Sequence, residues 1–324
     1  MRLIKKIIKA VALWAWAISA QSTQCAFSSA RPLVMSAEKE RPRIPILQYH
    51  DGWVCVNKPP GLTVHRSAGS FHHKFVLSTL LKRQLSRKVY PVHRLDHRTS
   101  GAILFAFDSD TCGKLHGSLA SANASKQYIA LVRGDFQINH GNKVSVDKPL
   151  NIQGELKDAR TDFTLLASVS GNDIKRDEPD SSPCDYFPSC SLVLCEPKTG
   201  RTHQIRRHAR SLGHPVLGDT QHGDSKVNRW WRTHRALDRL ALHCICLDLP
   251  SINGSENDGI KCVAPLSPEL FALLHREDMK SLFEQATEKD PRLTYKPIDI
   301  RGGSYGRHYK RRMRDIDQTL SERL

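Results

Sequence analysis

The sequence predicts an α+β fold, and three observations carry that prediction. Compact apolar runs with strand character recur from residue 53 to residue 249. Stretches with helical spacing of apolar residues lie between some of these runs but not others. No internal repeat and no regular strand–helix–strand alternation is present, so a parallel doubly wound sheet is excluded in favour of a mixed one. The chain of 324 residues is long enough to bury a real core.

The elements follow in order. Residues 1–26 begin with Arg2, Lys5, Lys6 and Lys9 and continue into an apolar stretch from Val11 to Ile18. That layout predicts a signal-like segment too short to span a membrane. Residues 27–45 carry Ser28, Ser29, Arg31, Ser36, Arg41 and Arg43, a transit-like composition. The "CAF" at 25–27 resembles the Ala-Phe cleavage motif of bipartite plastid-targeting presequences. Plastid import is therefore expected, with the mitochondrion as the alternative that the early lysines allow.

A folded domain is expected over 46–285. "WVCVNKPPGLTVH" (53–65) reads as a strand broken at Pro59-Pro60-Gly61. Over 72–86, Val76, Leu77, Leu80, Leu81 and Leu85 have helical spacing. "AILFAF" (102–107) is a buried strand, and the following "DSDTCGKLHGSLA" offers Asp or Ser caps for a helix. "QYIALVRG" (127–134), "CSLVLCE" (190–196) and "LALHCICLDL" (240–249) are further strands. Residues 202–212 form a helix ended by Gly213. The polar, Pro-bearing stretch 171–189 is a surface insertion and 253–261 a second loop. Residues 286–324 are expected to be a basic, flexible tail that meets phosphate nonspecifically.

Lys and Arg number 49 against 33 for Asp and Glu, a net charge of +16. That excess favours a polyanionic partner, with nucleic acid ahead of an anionic membrane. The nine cysteines are odd in number and form no CxxC pair, which excludes a disulfide framework and zinc-finger spacing. Cys244 and Cys246 alternate in a strand and are expected to share one packed side.

Two clusters carry the chemistry. In "VHRLDHRTSG" (92–101) one acid, Asp96, lies among Arg94, Arg98, His93 and His97, at the mouth of a buried strand. Charged groups are seldom buried there unless paired. In "PKTGRTHQIRRHARSLGHPVLGDTQHGD" (197–224), a helix places Ile205, Ala209 and Leu212 on one side. His203, Arg207 and Arg210 lie on another, and Arg206 sits at the edge of the apolar stripe. Arg206 is thus the arginine expected to point inward and to need an acid, while Arg207 and Arg210 face solvent or phosphate.

"HRLDHRTSG" resembles the catalytic motif of RluA-type pseudouridine synthases. "VNKPPGLTVHRS" upstream and "GRTHQIRRHARSLGHPVLGD" downstream are similar to the same family in the same order, across about residues 46–285. "EPKTGRTHQIRRH", "GDTQHGDSKVNR" and "VHRS" look most like the bacterial tRNA pseudouridine synthase C group. The resemblance implies a mixed, mainly antiparallel sheet with flanking helices and a basic RNA-binding cleft. It implies isomerisation of uridine to pseudouridine, in the T-arm of a tRNA or else in ribosomal RNA, by a monomer without stable membrane association. The reaction is redox-neutral, so neither cofactor nor metal is expected.

The same resemblance assigns roles. Asp96 becomes the catalytic carboxylate, attacking ring or sugar or removing a sugar proton. Arg206 pairs with Asp96; a neighbouring guanidinium favours the charged carboxylate and its planar fork orients it. Tyr128, in "SKQY", stacks on the base and assists proton transfer. Arg94 fills the space left when the uridine leaves its stack. His93, His97 and Arg98 become RNA contacts with His203, Arg207 and Arg210; Thr99 joins them, although with Ser100 it also suits a loop-fixing role. Two rival classes are weaker. A metal phosphohydrolase built on His50-Asp51 lacks a helical His partner at ligand spacing. A noncatalytic RNA-binding protein does not need Asp96, Tyr128 and Arg206 together.

Overall fold

The computed structural model describes residues 43–65, 75–136, 143–170, 188–252 and 259–296. The residues up to 42 expected to carry targeting, residues 171–187 of the expected insertion, the loop at 253–258 and the basic stretch from residue 297 lie outside the described residues. In chain order the elements are β1 (Ile46–Tyr49), β2 (Trp53–Lys58), α1 (Leu77–Leu85), β3 (Tyr90–Pro91), β4 (Ser100–Ala106), α2 (Ser109–Ala120) and β5 (Ser125–Arg133). Then come β6 (Lys143–Asp147), β7 (Leu150–Ile152), β8 (Glu155–Lys157), β9 (Arg160–Val169), β10 (Cys190–Pro197) and α3 (Gln204–Ser211). The chain continues through α4 (Ser225–Arg235), β11 (Leu242–Leu249), β12 (Ile260–Val263), α5 (Pro268–Leu274) and α6 (Lys280–Lys289).

One ten-stranded sheet runs in the order β1-β2-β4-β11-β5-β10-β9-β6, with β12 added on β11 and β3 on β4. Its pairings are antiparallel except where β11 meets β4 in parallel, at His243–Ser100 and Cys244–Gly101. β7 and β8 form a separate hairpin. Every residue of β2 and β4 is buried. Both faces of these strands are therefore covered, which is why "AILFAF" reads as a continuous apolar run rather than an alternating one. Gly101 has φ +114°, and a Cβ there would collide with the backbone of Cys244. The glycine of "TSG" is what lets β11 approach β4.

Helix α2 starts as the sequence expects, with Asp108 Oδ1 accepting from the Thr111 N–H at 2.7 Å. Two expectations need correction. A bulge between Cys244 and Cys246 breaks the strand alternation, so Cys244 lies by Tyr128 and Cys246 by Arg292. The packed fold also runs past residue 285. Leu282 and Ala286, four apart on α6, are fully buried, and so is Leu293 beyond it. The expected tail boundary thus falls inside a docked helix whose polar residues are its outer face. Among the described residues, no helix is long and apolar enough to cross a membrane.

Candidate active site

The loop between β3 and β4 carries Asp96, and its shape is set from several sides. The Val92 N–H donates to the Leu104 carbonyl at 3.1 Å, and the Thr99 N–H closes a turn on the Asp96 carbonyl at 3.0 Å. The Gly61 N–H reaches the His97 carbonyl at 2.8 Å. Lys58, fully buried, donates to the carbonyls of Pro59 (3.0 Å), Leu62 (2.8 Å) and His97 (3.2 Å). Three acceptors match the three N–H bonds of an ammonium, whereas burial and nearby Arg239 pull its pKa down to about 7. The "KPPG" turn is therefore a clamp on the Asp96 loop. Behind the loop, Ser100 Oγ shares hydrogen bonds with His243 Nδ1 (2.8 Å) and Arg239 Nη2 (2.9 Å).

Arg206, on α3, points inward and is 7 % exposed. Its Nη1 donates to Asp96 Oδ2 at 3.1 Å. Its main partner is a different acid. Nε and Nη2 make a two-toothed contact to Asp219, at 2.7 and 2.8 Å, and Nη2 also reaches Gln221 Oε1 at 3.2 Å. This fork fixes the plane of the guanidinium and leaves one arm for Asp96. Burial opposes the Arg206 charge, but the two carboxylates outweigh it and raise its pKa. Asp219 also accepts from the N–H groups of Gln221 (2.9 Å) and His222 (3.0 Å). Burial alone would raise its carboxyl; Arg206 and these N–H groups hold it down to about 2. Gly218, with φ +74°, brings this segment against the Arg239 carbonyl, where a Cβ would overlap.

His203 caps α3 in the left-handed region, φ 55°. This backbone, uncommon for a non-glycine residue, sets its ring between two groups. Nε2 lies 3.9 Å from Asp96 Oδ2, and Nδ1 is 3.0 Å from His222 Nε2. Burial lowers its pKa, against the pull of Asp96. Gln204 ties the preceding turn down, accepting from Thr199 Oγ1 and the Arg201 N–H and donating to the Arg160 carbonyl and Thr161 Oγ1.

Asp96, Arg206, Tyr128, His203 and Leu242 line one cavity of about 1020 Å³. The turn 197–202, the end of α2 and Lys126 of β5 also line it. Tyr128 is 9 % exposed, and burial, Cys244 and Asp96 raise its phenol pKa well above the ordinary value. It is a neutral hydroxyl on an aromatic face.

The residues expected to touch RNA divide. Arg94 is exposed on the cavity lining. His93 lines the cavity, but its Nε2 accepts from the Leu104 N–H at 3.2 Å and burial lowers its pKa to about 4. It is a neutral strut, not a cation for phosphate. Thr99 is 2 % exposed and belongs to the loop's frame. Arg98 donates to Thr220 Oγ1 (3.1 Å) and the Asp238 carbonyl (2.6 Å), joining loops outside the cavity. His97 contributes its carbonyl to the clamp. Arg207 is half-buried and fastens the β7–β8 hairpin through the Asn151 carbonyl at 3.0 Å. Arg210 is exposed. Neither of these last two lines the cavity. His50-Asp51 occupies the β1–β2 turn, with His50 stacked on Trp53. Among the described residues no group of three His, Cys, Asp or Glu is placed to hold a metal.

The sequence model of the family described as RNA pseudouridylate synthase matches residues 52–211. The tRNA pseudouridine synthase C of Pasteurella multocida is 38 % identical over 213 residues, covering 60 % of this chain and 81 % of that protein. The chain belongs to the RluA-type RNA pseudouridine synthase family. The enzyme of the same name from Vibrio vulnificus is also 38 % identical, over 206 residues, with 81 % of that protein covered. Human RNA pseudouridylate synthase domain containing 1 shares the fold at TM-score 0.54 and 22 % identity, over 80 % of this chain and 98 % of that one. As a member of this family of pseudouridine synthases, the protein is an isomerase that acts on uridine in RNA.

Proposed function

We propose that this pseudouridine synthase acts on a tRNA, at a uridine of the T-arm, with Asp96 as its reacting carboxylate. One observation supports the catalytic reading above the others: a partly exposed carboxylate, lining a nucleotide-sized cavity, held by one arm of an otherwise saturated arginine. In the reaction the N1–C1′ bond breaks, the uracil turns and a C5–C1′ bond forms. C5 gives up a proton and N1 gains one, so atoms and charge balance without a redox partner. A carboxylate preset beside the sugar can meet the electron-poor carbon that cleavage creates. Arg206 is a positioning residue that keeps Asp96 there. Tyr128 offers a flat face to the uracil and a neutral hydroxyl to its carbonyls. Arg94, exposed at the cavity lining, fits the space an everted uridine leaves in the stack.

The tRNA reading rests on the likeness to the tRNA pseudouridine synthases C; ribosomal RNA is the alternative. Release of tritium from C5-labelled uridine separates them. The purified protein is expected to release it from unmodified tRNA transcripts, and a T-arm uridine replaced by cytidine should abolish the release. Release from rRNA transcripts alone would sink the tRNA reading. Tight RNA binding without release from any RNA would restore the noncatalytic one.

A further inference from the structure

Five cations line the cavity: Arg94, Lys126, Lys198, Arg201 and Arg206. Arg206 is held by Asp219 and Asp96. Lys198 lies 3.7 Å from Asp162, and Arg201 Nε donates to the Asp158 carbonyl at 3.0 Å. Arg94 and Lys126 have no carboxylate within ion-pair distance among the described residues. For Arg94 that is unremarked by the physics, because the side chain is exposed and solvated. Lys126 is different. It is half-buried, and burial pulls its pKa down. Its direct cross-strand neighbour on β11 is the apolar Leu247, while the nearby acid, Asp248, lies opposite Ser125 and so projects to the other face, where it pairs with Lys261 at 3.4 Å. Its polar neighbours are the Cys244 thiol, kept neutral by burial, and His93, also neutral.

A half-buried ammonium without an anion is unfavourable in the free protein. Its place on the strand says what anion it awaits. Lys126 and Tyr128 are two apart on β5, so both project from the same face, into the same cavity. A uracil stacked on Tyr128 brings its own sugar–phosphate towards the strand face that carries Lys126.

We propose that Lys126 binds a backbone phosphate flanking the target uridine, holding the everted nucleotide from the strand that carries Tyr128. This rests on the cavity's taking the uridine, as argued above.

The test compares wild type, Lys126→Met and Lys126→Arg on tRNA transcripts and on T-arm stem-loops bearing a neutral methylphosphonate on either side of the target. Lys126→Met should raise Kd and KM roughly 10- to 100-fold, the range of a hydrogen bond to a charged group. It should leave kcat within about threefold and lower the salt slope of log Kd by about one. Lys126→Arg should recover most of the affinity. At one of the two phosphates, the methylphosphonate and Lys126→Met should cost no more together than either alone. The urea midpoint of Lys126→Met should equal or exceed that of wild type, since an unpaired charge is removed. An unchanged salt slope, strictly additive losses at both phosphates, or a loss confined to kcat overturns the proposal. Wild-type turnover judges the substrate reading separately, because the salt slope is read whether or not a transcript is turned over.

Discussion

Asp219→Asn removes one charge from the pair that sets the orientation of Arg206. The Asp219 side chain is fully inaccessible and accepts four hydrogen bonds, two from Arg206 and two from backbone N–H groups. An asparagine keeps one oxygen and turns an NH2 toward a donor. Leaving one member of a buried ion pair uncompensated destabilises by about 3–5 kcal/mol. The wild-type carboxyl is held at about 2 against an ordinary 3.8. At ~1.4 kcal/mol per unit, that is about 2 kcal/mol of stability from this group. Because the folded value is the lower one, this contribution is full above about pH 5 and is lost as pH falls towards 2. Urea unfolding at pH 7 and at pH 3 measures both effects: the gap between wild type and Asp219→Asn should narrow in acid. Tritium release at 15 °C, on samples shown folded by circular dichroism, should drop at least 100-fold in kcat, since Arg206 no longer aims its free arm at Asp96. A double variant, Arg206→Met with Asp219→Leu, should regain much of the stability but none of the activity. If Asp219→Asn stays within 1 kcal/mol of wild type and within threefold in kcat, the fork is not what positions Asp96.

Four further outcomes are expected. Asp96→Asn should abolish isomerisation while RNA Kd changes little, because phosphate contacts do not depend on that charge; turnover within tenfold of wild type would remove Asp96 from the chemistry. Arg206→Lys should be far worse than Arg207→Lys, since only Arg206 uses a planar fork on two acids; equal rates would contradict the inward assignment. RNA affinity should fall steeply with salt, and deleting residues 301–324 should lessen that slope with kcat intact; a lost kcat would make those residues part of the site. Residues 1–45 fused to a fluorescent protein should enter plastids, and Phe27→Ala should block entry; mitochondrial import of the wild-type fusion would refute the bipartite reading.

What could be read in advance depended on distance along the chain. The strands at 102–107 and 127–134 and the inward Arg206 were legible because periodicity and local apolarity specify them. The residues alone offered an acid among cations and an inward arginine in need of an acid; that Asp96 and Arg206 pair with each other was legible only through the family resemblance. Asp219 was not. "GDTQHGD" offers two acids, and only the turn at Gly218 and the approach to Arg239 decide which one is buried. Arg98 and His93 look like RNA contacts in sequence because cations and histidines in a loop suit phosphate. Their tertiary partners, the Asp238 carbonyl and the Leu104 N–H, lie on other elements. Lys126 sits inside a strand motif, and its significance rests on an absence that no local pattern records. Helices α4 and α6 escaped notice because polar residues dominate them between a few core anchors such as Trp231 and Leu282, and α5, PELFALL, because seven apolar-rich residues are too short to show a helical period.

The parallel contact between β4 and β11 has a consequence for biosynthesis. β11 is inserted between β4 and β5 although more than a hundred residues separate it from either. Until residue 249 has left the ribosome, β4 and β5 each present an open edge to the other's missing neighbour. Asp96 precedes one of these strands and Tyr128 lies on the other, so the two halves of the cavity meet only when β11 closes the seam. The nascent chain therefore carries Asp96 and Tyr128 long before the strand that joins their halves of the sheet is made, and the closing contact is a long-range one. A chain that stops before Leu242 lacks the one strand that lies between these two halves of the sheet.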